Sequence, residues 1–227
     1  RTAAMQGQPA PADRQDLRAL PLITLDDETA QDFDDAIWAE PTDAGFHLLI
    51  AIADVSHAVP AGSALDREAR LRGTSIYLPD RTVPMLPPSL SANACSLLPG
   101  QDRLCLFADI QITHEGEVVA GTIKRGIMRS AARLTYHDAQ AMLDGTPLPP
   151  THPAHALPAT PLQTLRAAAS ALEKTATKGA PMRLDEDARH LTFHPHGPPP
   201  ALLPPVPLAT PPPLRRSMLP ATPPPPP

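Results

Sequence analysis

The sequence predicts an α/β fold, a mixed and largely antiparallel sheet with flanking helices. Three observations carry that expectation. Two pairs of β-rich runs are each joined by a short turn, at residues 35–55 and 104–128. Three stretches carry helix signals in the form of caps, stops or an apolar stripe, at residues 63–73, 135–145 and 162–178. The length, 227 residues, suits one sizeable domain with its own core.

In chain order, residues 1–20 are rich in Ala, Pro, Gln and Asp and read as a linker or arm. Residues 35–40 and 46–55 form a hairpin around Pro41-Thr42-Asp43-Ala44-Gly45. Ser63 is placed to cap a short helix over residues 63–72, with Asp66 three residues on and Gly73 as its stop. Residues 104–112 and 118–128 make a second hairpin around His114-Glu115-Gly116-Glu117. Thr135, Asp138 and Gly145 mark the cap, capping partner and stop of the next helix. Leu162, Leu165, Ala169, Leu172 and Ala176 then form an apolar stripe on a helix that begins after Pro161 and ends before Gly179. Of the 30 residues 198–227, 15 are proline, so that segment reads as a low-complexity tail, polyproline II or disordered. The expected division is therefore an arm over 1–20, a folded domain over 21–197 and a tail over 198–227.

Composition narrows the function classes. A formal net charge of -5 argues against general adhesion to nucleic acid through a basic exterior, though arginines cluster in mid-chain and leave room for a basic channel. Cys95 and Cys105, the two cysteines, form neither a disulfide framework nor a zinc pattern, and they suit a reducing cytoplasm. No apolar run approaches the roughly 20 residues of a membrane span, so no membrane partner is expected. The start, Arg1-Thr2-Ala3-Ala4, has neither an initiator Met nor an apolar signal core, and the chain reads as an excerpt.

The most informative stretch is Leu25-Asp26-Asp27-Glu28-Thr29-Ala30-Gln31-Asp32-Phe33-Asp34-Asp35-Ala36, flanked by apolar strand residues on both sides. Two like charges about 4 Å apart repel by about 4 kcal/mol near a protein surface. A hard divalent cation removes that repulsion, and carboxylate oxygens are its preferred ligands. If residues 22–26 are a strand, five residues, 27–31, suffice to loop back and bring Asp32, Asp34 and Asp35 near Asp26. Four such acids suit two Mg²⁺ ions about 4 Å apart, the clamp used in phosphodiester hydrolysis. An acidic run is ordinarily a solvated loop. Here the flanking strands pull the acids toward a core, and Phe33 interrupts them. A calcium loop counted from Asp26 would need Gly at the position of Gln31 and Glu at that of Ile37.

These residues resemble the start of the catalytic domain shared by ribonuclease II and ribonuclease R, the RNB domain. Further blocks agree in family order: His47-Leu48-Leu49-Ile50-Ala51-Ile52-Ala53-Asp54-Val55-Ser56-His57, Arg72-Gly73-Thr74-Ser75-Ile76-Tyr77-Leu78-Pro79-Asp80-Arg81, Cys95-Ser96-Leu97 and Ser130-Ala131-Ala132-Arg133-Leu134-Thr135-Tyr136. The match covers roughly residues 14–145 and is closer to the ribonuclease R branch. The resemblance implies hydrolytic, processive degradation of single-stranded RNA from the 3′ end with release of nucleoside 5′-monophosphates. It implies that Asp26, Asp32, Asp34 and Asp35 are the catalytic acids and hold Mg²⁺, with Mn²⁺ an alternative. It places Tyr77 against the terminal nucleotide. Arg133 is a candidate phosphate contact, with a solvated arginine its plainer reading.

The remaining candidates have plainer readings. Asp54 is expected as a structural acid or a support of the site, and His57 as structural, because two-metal hydrolysis needs no base. His190, His194 and His196 lack a completing ligand, and Cys95 and Cys105 read as small buried hydrophobes. The family's catalytic domains also continue into an Arg-Arg-Tyr-like segment that stabilises charge on the phosphate, and are flanked by oligonucleotide-binding barrels. Neither pattern occurs in these 227 residues. The expectation is an incomplete domain, completed by a missing downstream portion or a second chain. The alternatives are a truncated, non-catalytic RNA- or metal-binding remnant and an interaction protein docking through its proline-rich tail.

Overall fold

A computed structural model describes residues 9–78 and 81–177. The proline-rich tail, the three late histidines and residues 179–193 lie outside the described residues. Among the described residues, nine strands and four helices follow in order: β1 Gln15–Asp16, β2 Ile23–Asp26, β3 Asp35–Thr42, β4 Gly45–Ala53, α1 Val55–Ala58, α2 Ala64–Arg72, β5 Ile76–Tyr77, β6 Thr82–Val83, β7 Asp102–Thr113, β8 Val118–Arg129, β9 Ala132–Thr135, α3 Tyr136–Leu143 and α4 Thr160–Thr177. A single π-type turn, Leu90–Ala94, precedes β7. Seven strands form one sheet in the order β1-β8-β7-β4-β3-β2-β9, and β5 and β6 pair apart from it. Only the β1–β8 and β2–β9 pairings are parallel, so the sheet is mixed and largely antiparallel, as the sequence predicts.

The central strands are buried on both faces because successive side chains point to opposite sides. Ile37 and Ala39 of β3 and Leu48 of β4 feed one apolar cluster, which Leu162, Leu165 and Ala168 of α4 and Met142 of α3 cover. Ala36 and Trp38, with Leu49, feed the other, together with Leu17, Leu22, Phe33, Leu97, Phe107 and Met128. This explains why 36–39 and 48–53 read as near-continuous apolar runs. Cys95 and Cys105 are free and buried in this framework, and burial pushes the Cys105 thiol up to about 12. Among the described residues, no helix is long and apolar enough to cross a membrane.

Several boundaries differ from expectation. The first hairpin is tighter, with Pro41 and Thr42 inside β3, paired with Phe46 and Gly45. β3 there outruns β2, which has only four residues, so a proline removes no ladder bond on that side. Asp54 and Val55 leave β4 for the short α1. α4 begins at Thr160 and holds Pro161 in its first turn, where no N–H partner is required. Ala168 and Ala171 are buried and Ala176 is exposed, so the stripe drifts from the positions expected. Gln15 and Asp16 run parallel to β8 and Leu17 is buried, so the later part of the segment read as an arm belongs to the sheet. The expected caps of α2 and α3 both form, with Ser63 Oγ accepting from the Asp66 N–H and Thr135 and Asp138 closing a capping box.

The tip of the β7–β8 hairpin seats on α4. Thr175 Oγ1 donates to the Glu115 carbonyl at 2.6 Å, and Gly116 has φ +86°, with Ala171 O only 2.0 Å from where a Cβ would stand. Gly116→Ala is expected to destabilise the protein by about 1–3 kcal/mol through strain and lost seating, read as a lower urea midpoint at unchanged slope.

A charge ladder crosses the sheet. The His47 ring bonds Glu40 at 3.1 Å and Asp109 at 2.8 Å, and Lys124 bonds Asp109 at 2.9 Å. Burial alone would lower the His47 pKa, but the two carboxylates outweigh it and hold the imidazole above its ordinary 6.5. A raised folded-state value stabilises fully below the unfolded value near 6.5 and is lost as pH rises through the folded value. The Tm gap between the wild type and His47→Gln should therefore be wider at about pH 5.5 than at about pH 8.5.

Candidate active site

β2 ends in a half-buried acid and β3 begins with an exposed one. Asp26 closes β2, where it stands opposite Thr135 of β9, and Asp35 opens β3, opposite Ile52 of β4. Because β2 and β3 are antiparallel neighbours, both residues lie at the same end of the sheet. The Ala53 N–H donates to the Asp34 carbonyl at 2.8 Å, so the β3–β4 ladder fixes the backbone one residue before β3 begins.

The connecting loop, residues 27–34, is held at several points. The Ala30 N–H closes a turn on the Asp27 carbonyl. Phe33 is 7% exposed and packs into the core cluster beneath the loop. Its neighbours Asp32 and Asp34 are turned the other way, half-buried and exposed respectively, because adjacent side chains in extended chain alternate. The Phe33 N–H donates to Ser96 Oγ at 3.0 Å, the Ser96 hydroxyl donates to the Gln31 carbonyl at 3.2 Å, and the Leu97 N–H donates to the Phe33 carbonyl at 2.8 Å. Arg133 gives its Nη2 to the carbonyls of Asp27 at 2.7 Å and Glu28 at 3.0 Å, and its guanidinium lies 5.5 Å from the Phe33 ring centre.

Tyr77 approaches from the β5–β6 pair. Its hydroxyl donates to Asp32 Oδ2 at 3.4 Å while the ring remains 61% exposed. The structure thus gathers Asp26, Asp32, Asp34, Asp35 and Tyr77 at one end of the sheet. Arg133 is nearby but differs from expectation: two donor bonds go to loop carbonyls, where they brace the chain that carries the acids. Asp54 is a structural acid, buried against Arg14 at 2.6 Å and accepting from the Ser56 hydroxyl at 2.5 Å. Burial would raise its pKa, but the Ser56 and Arg14 hydrogen bonds prevail and keep it below the usual carboxylate range. His57 is exposed on α1.

Two residues escaped the sequence reading. Ser96 sits in the Cys95-Ser96-Leu97 block but has no motif of its own, and Arg14 lies in the segment read as an arm. A buried hydroxyl or guanidinium that satisfies distant backbone has no periodic signal.

The donor chemistry of the four acids fits a hard divalent cation, which takes carboxylate oxygens. Asp26, Asp32, Asp34 and Asp35, which lie at the adjoining ends of β2 and β3 and in the loop between them, are the residues that could hold it. Among the described residues, no three His, Cys, Asp or Glu side chains converge as a metal-holding group. The backbone around them is held by the β3–β4 ladder and by Ser96.

Comparison with known proteins agrees with this architecture. The RNB domain family matches residues 14–200. Ribonuclease R of Acidithiobacillus ferrooxidans is 49% identical over 134 residues, covering 59% of this chain and 30% of that protein. Ribonuclease R of Escherichia coli is 47% identical over 137 residues, covering 60% of this chain and 17% of that protein. Mycoplasma genitalium ribonuclease R, solved in complex with ribose-methylated single-stranded RNA, superposes with a TM-score of 0.75 at 29% identity, covering 82% of this chain and 29% of that one. The chain thus spans less than a third of the length of these relatives. With the family matched over most of its length and the acid loop set in the matching fold, the chain belongs to the RNB domain family and resembles its ribonuclease R members.

Proposed function

We propose that this chain carries the acidic half of a 3′-to-5′ exoribonuclease site, which hydrolyses single-stranded RNA to nucleoside 5′-monophosphates by a two-metal mechanism. The observation that carries this reading is the placement of Asp26, Asp32, Asp34 and Asp35 at one end of β2 and β3, with the Tyr77 hydroxyl on Asp32. The ribonuclease R relatives and the RNA-bound neighbour point to the same substrate class.

The residues divide the work. Asp26, Asp32, Asp34 and Asp35 would hold Mg²⁺, with Mn²⁺ as a substitute. Bound there, the cations would supply a Lewis acid for the attacking water and for charge on the phosphate. Tyr77 offers an exposed ring to the terminal base, and such stacking is worth about 1–3 kcal/mol per base whatever the sequence. Its bond to Asp32 ties the position of that ring to the acids. The setting implied by the ribonuclease R relatives is RNA degradation in the cytoplasm.

The test is incubation of the chain with a single-stranded oligoribonucleotide, with Mg²⁺ or with a chelator. Shortening from the 3′ end and release of 5′-monophosphates only with Mg²⁺ is the expected result. No product at high protein concentration would remove the claim of activity for this chain alone. A second reading, a non-catalytic RNA- or metal-binding chain, is favoured by the engagement of Arg133, the described arginine that reaches the acid loop, with loop carbonyls. Calorimetric binding of RNA or Mn²⁺ without product would support it.

A further inference from the structure

The acid loop could not hold its shape by the sheet ladders alone. β2 ends at Asp26, the ladder of β3 resumes at Asp34, and the residues between them have no strand partner. What spans the gap is Ser96, which is 0% exposed and comes from the chain just after the π-type turn Leu90–Ala94. One hydroxyl accepts from the Phe33 N–H and donates to the Gln31 carbonyl, so it satisfies backbone on both sides of Asp32. The adjacent Leu97 N–H takes the Phe33 carbonyl. Three backbone groups of residues 31–33 are thereby committed to one dipeptide, and all three bonds lie at or below 3.2 Å. Ser96 is itself fixed, because its carbonyl accepts from Arg103 Nε at 2.9 Å.

We propose that Ser96 is a positioning residue, which sets the backbone of Gln31–Phe33 and through it aims Asp32 and Asp34 at the cation and the scissile phosphate. Its hydroxyl bonds backbone groups of the loop. It acts by removing the freedom of the loop, so that the carboxylates need only rotate to close on a cation. Arg133 does the same for the first half of the loop through Asp27 and Glu28, and its guanidinium caps the Phe33 ring that anchors the second half. The inference rests on the nuclease reading for its catalytic consequence, but not for its structural or metal-binding one.

The experiment compares the wild type, Ser96→Ala and Ser96→Thr in the full chain. The control is Leu172→Ala, which loosens the packing of α4 on the far side of the sheet. Amide hydrogen exchange is read at Phe33, Mn²⁺ affinity by calorimetry, and RNA turnover as kcat and KM separately. Ser96→Ala should exchange the Phe33 amide at least tenfold faster, weaken Mn²⁺ at least tenfold and lower kcat rather than raise KM. Ser96→Thr, which keeps the hydroxyl, should recover most of the Phe33 protection and Mn²⁺ affinity. Leu172→Ala should lower Tm without moving either. Unchanged Phe33 exchange in Ser96→Ala would overturn the proposal, as would equal Mn²⁺ affinity in wild type and Ser96→Ala, including no binding in either. Absence of RNA turnover in the wild type alone would count against the nuclease reading, while exchange and Mn²⁺ affinity would still decide this one.

Discussion

Asp34→Asn should lower Mg²⁺-dependent release of nucleoside monophosphates by about 10²–10³-fold or more, the scale on which a missing electrostatic stabiliser acts. It should do so with little change in stability, because Asp34 is exposed and the backbone carbonyl that Ala53 bonds is retained. A Tm within about 2 °C of wild type is expected for a surface change of this kind. The substitution keeps shape and removes charge, so a fall in rate at constant Tm reports the carboxylate itself. The measurement is initial rate on a single-stranded oligoribonucleotide, in parallel with a thermal melt. Equal, non-zero rates for the two proteins would remove Asp34 from the chemistry.

The second large effect concerns stability. Arg14→Ala should destabilise the fold by about 3–5 kcal/mol, because it leaves Asp54 buried and ionised with no cation. The pair is 2.6 Å apart, and its side chains are 4% and 1% exposed. Arg14 also reaches the carbonyls of Cys105 and Gly126, so it joins the N-terminal segment to β7 and β8. Against a total stability of about 5–15 kcal/mol, this is a large fraction. Chemical denaturation should show it as a lower midpoint. Replacing both partners together, as Arg14→Met with Asp54→Leu, should recover much of the loss, since no charge is then stranded. A single-variant loss below about 1 kcal/mol would mean that water reaches Asp54.

The features legible in the sequence were those with a period or a local pattern. Alternation and apolar runs placed β3, β4, β7 and β8, and Ser63, Thr135 and their aspartates placed α2 and α3 through local hydrogen bonds. The acid loop was legible for another reason. Acids packed between apolar strands are energetically conspicuous without any tertiary information, and the blocks around them pointed to the RNB family that the chain matches. The missing pieces were long-range and aperiodic. Gln15 and Asp16 look like linker until β8 supplies a partner more than a hundred residues away. Arg133 reads as a solvated arginine or a phosphate contact, and its bonds to the carbonyls of Asp27 and Glu28 across more than a hundred residues leave no sequence signal. Ser96 is an ordinary serine whose importance comes from what folds against it.

The central claim is that Asp26, Asp32, Asp34 and Asp35 form one cation-binding set at the end of β2 and β3. Calorimetric titration of the chain with Mn²⁺, in wild type and in Asp26→Asn and Asp35→Asn, tests it most directly, because these two residues come from different strands. The account predicts saturable binding in wild type and a loss of at least tenfold in each variant, about 1.4 kcal/mol or more. Binding that survives unchanged in both variants would contradict it.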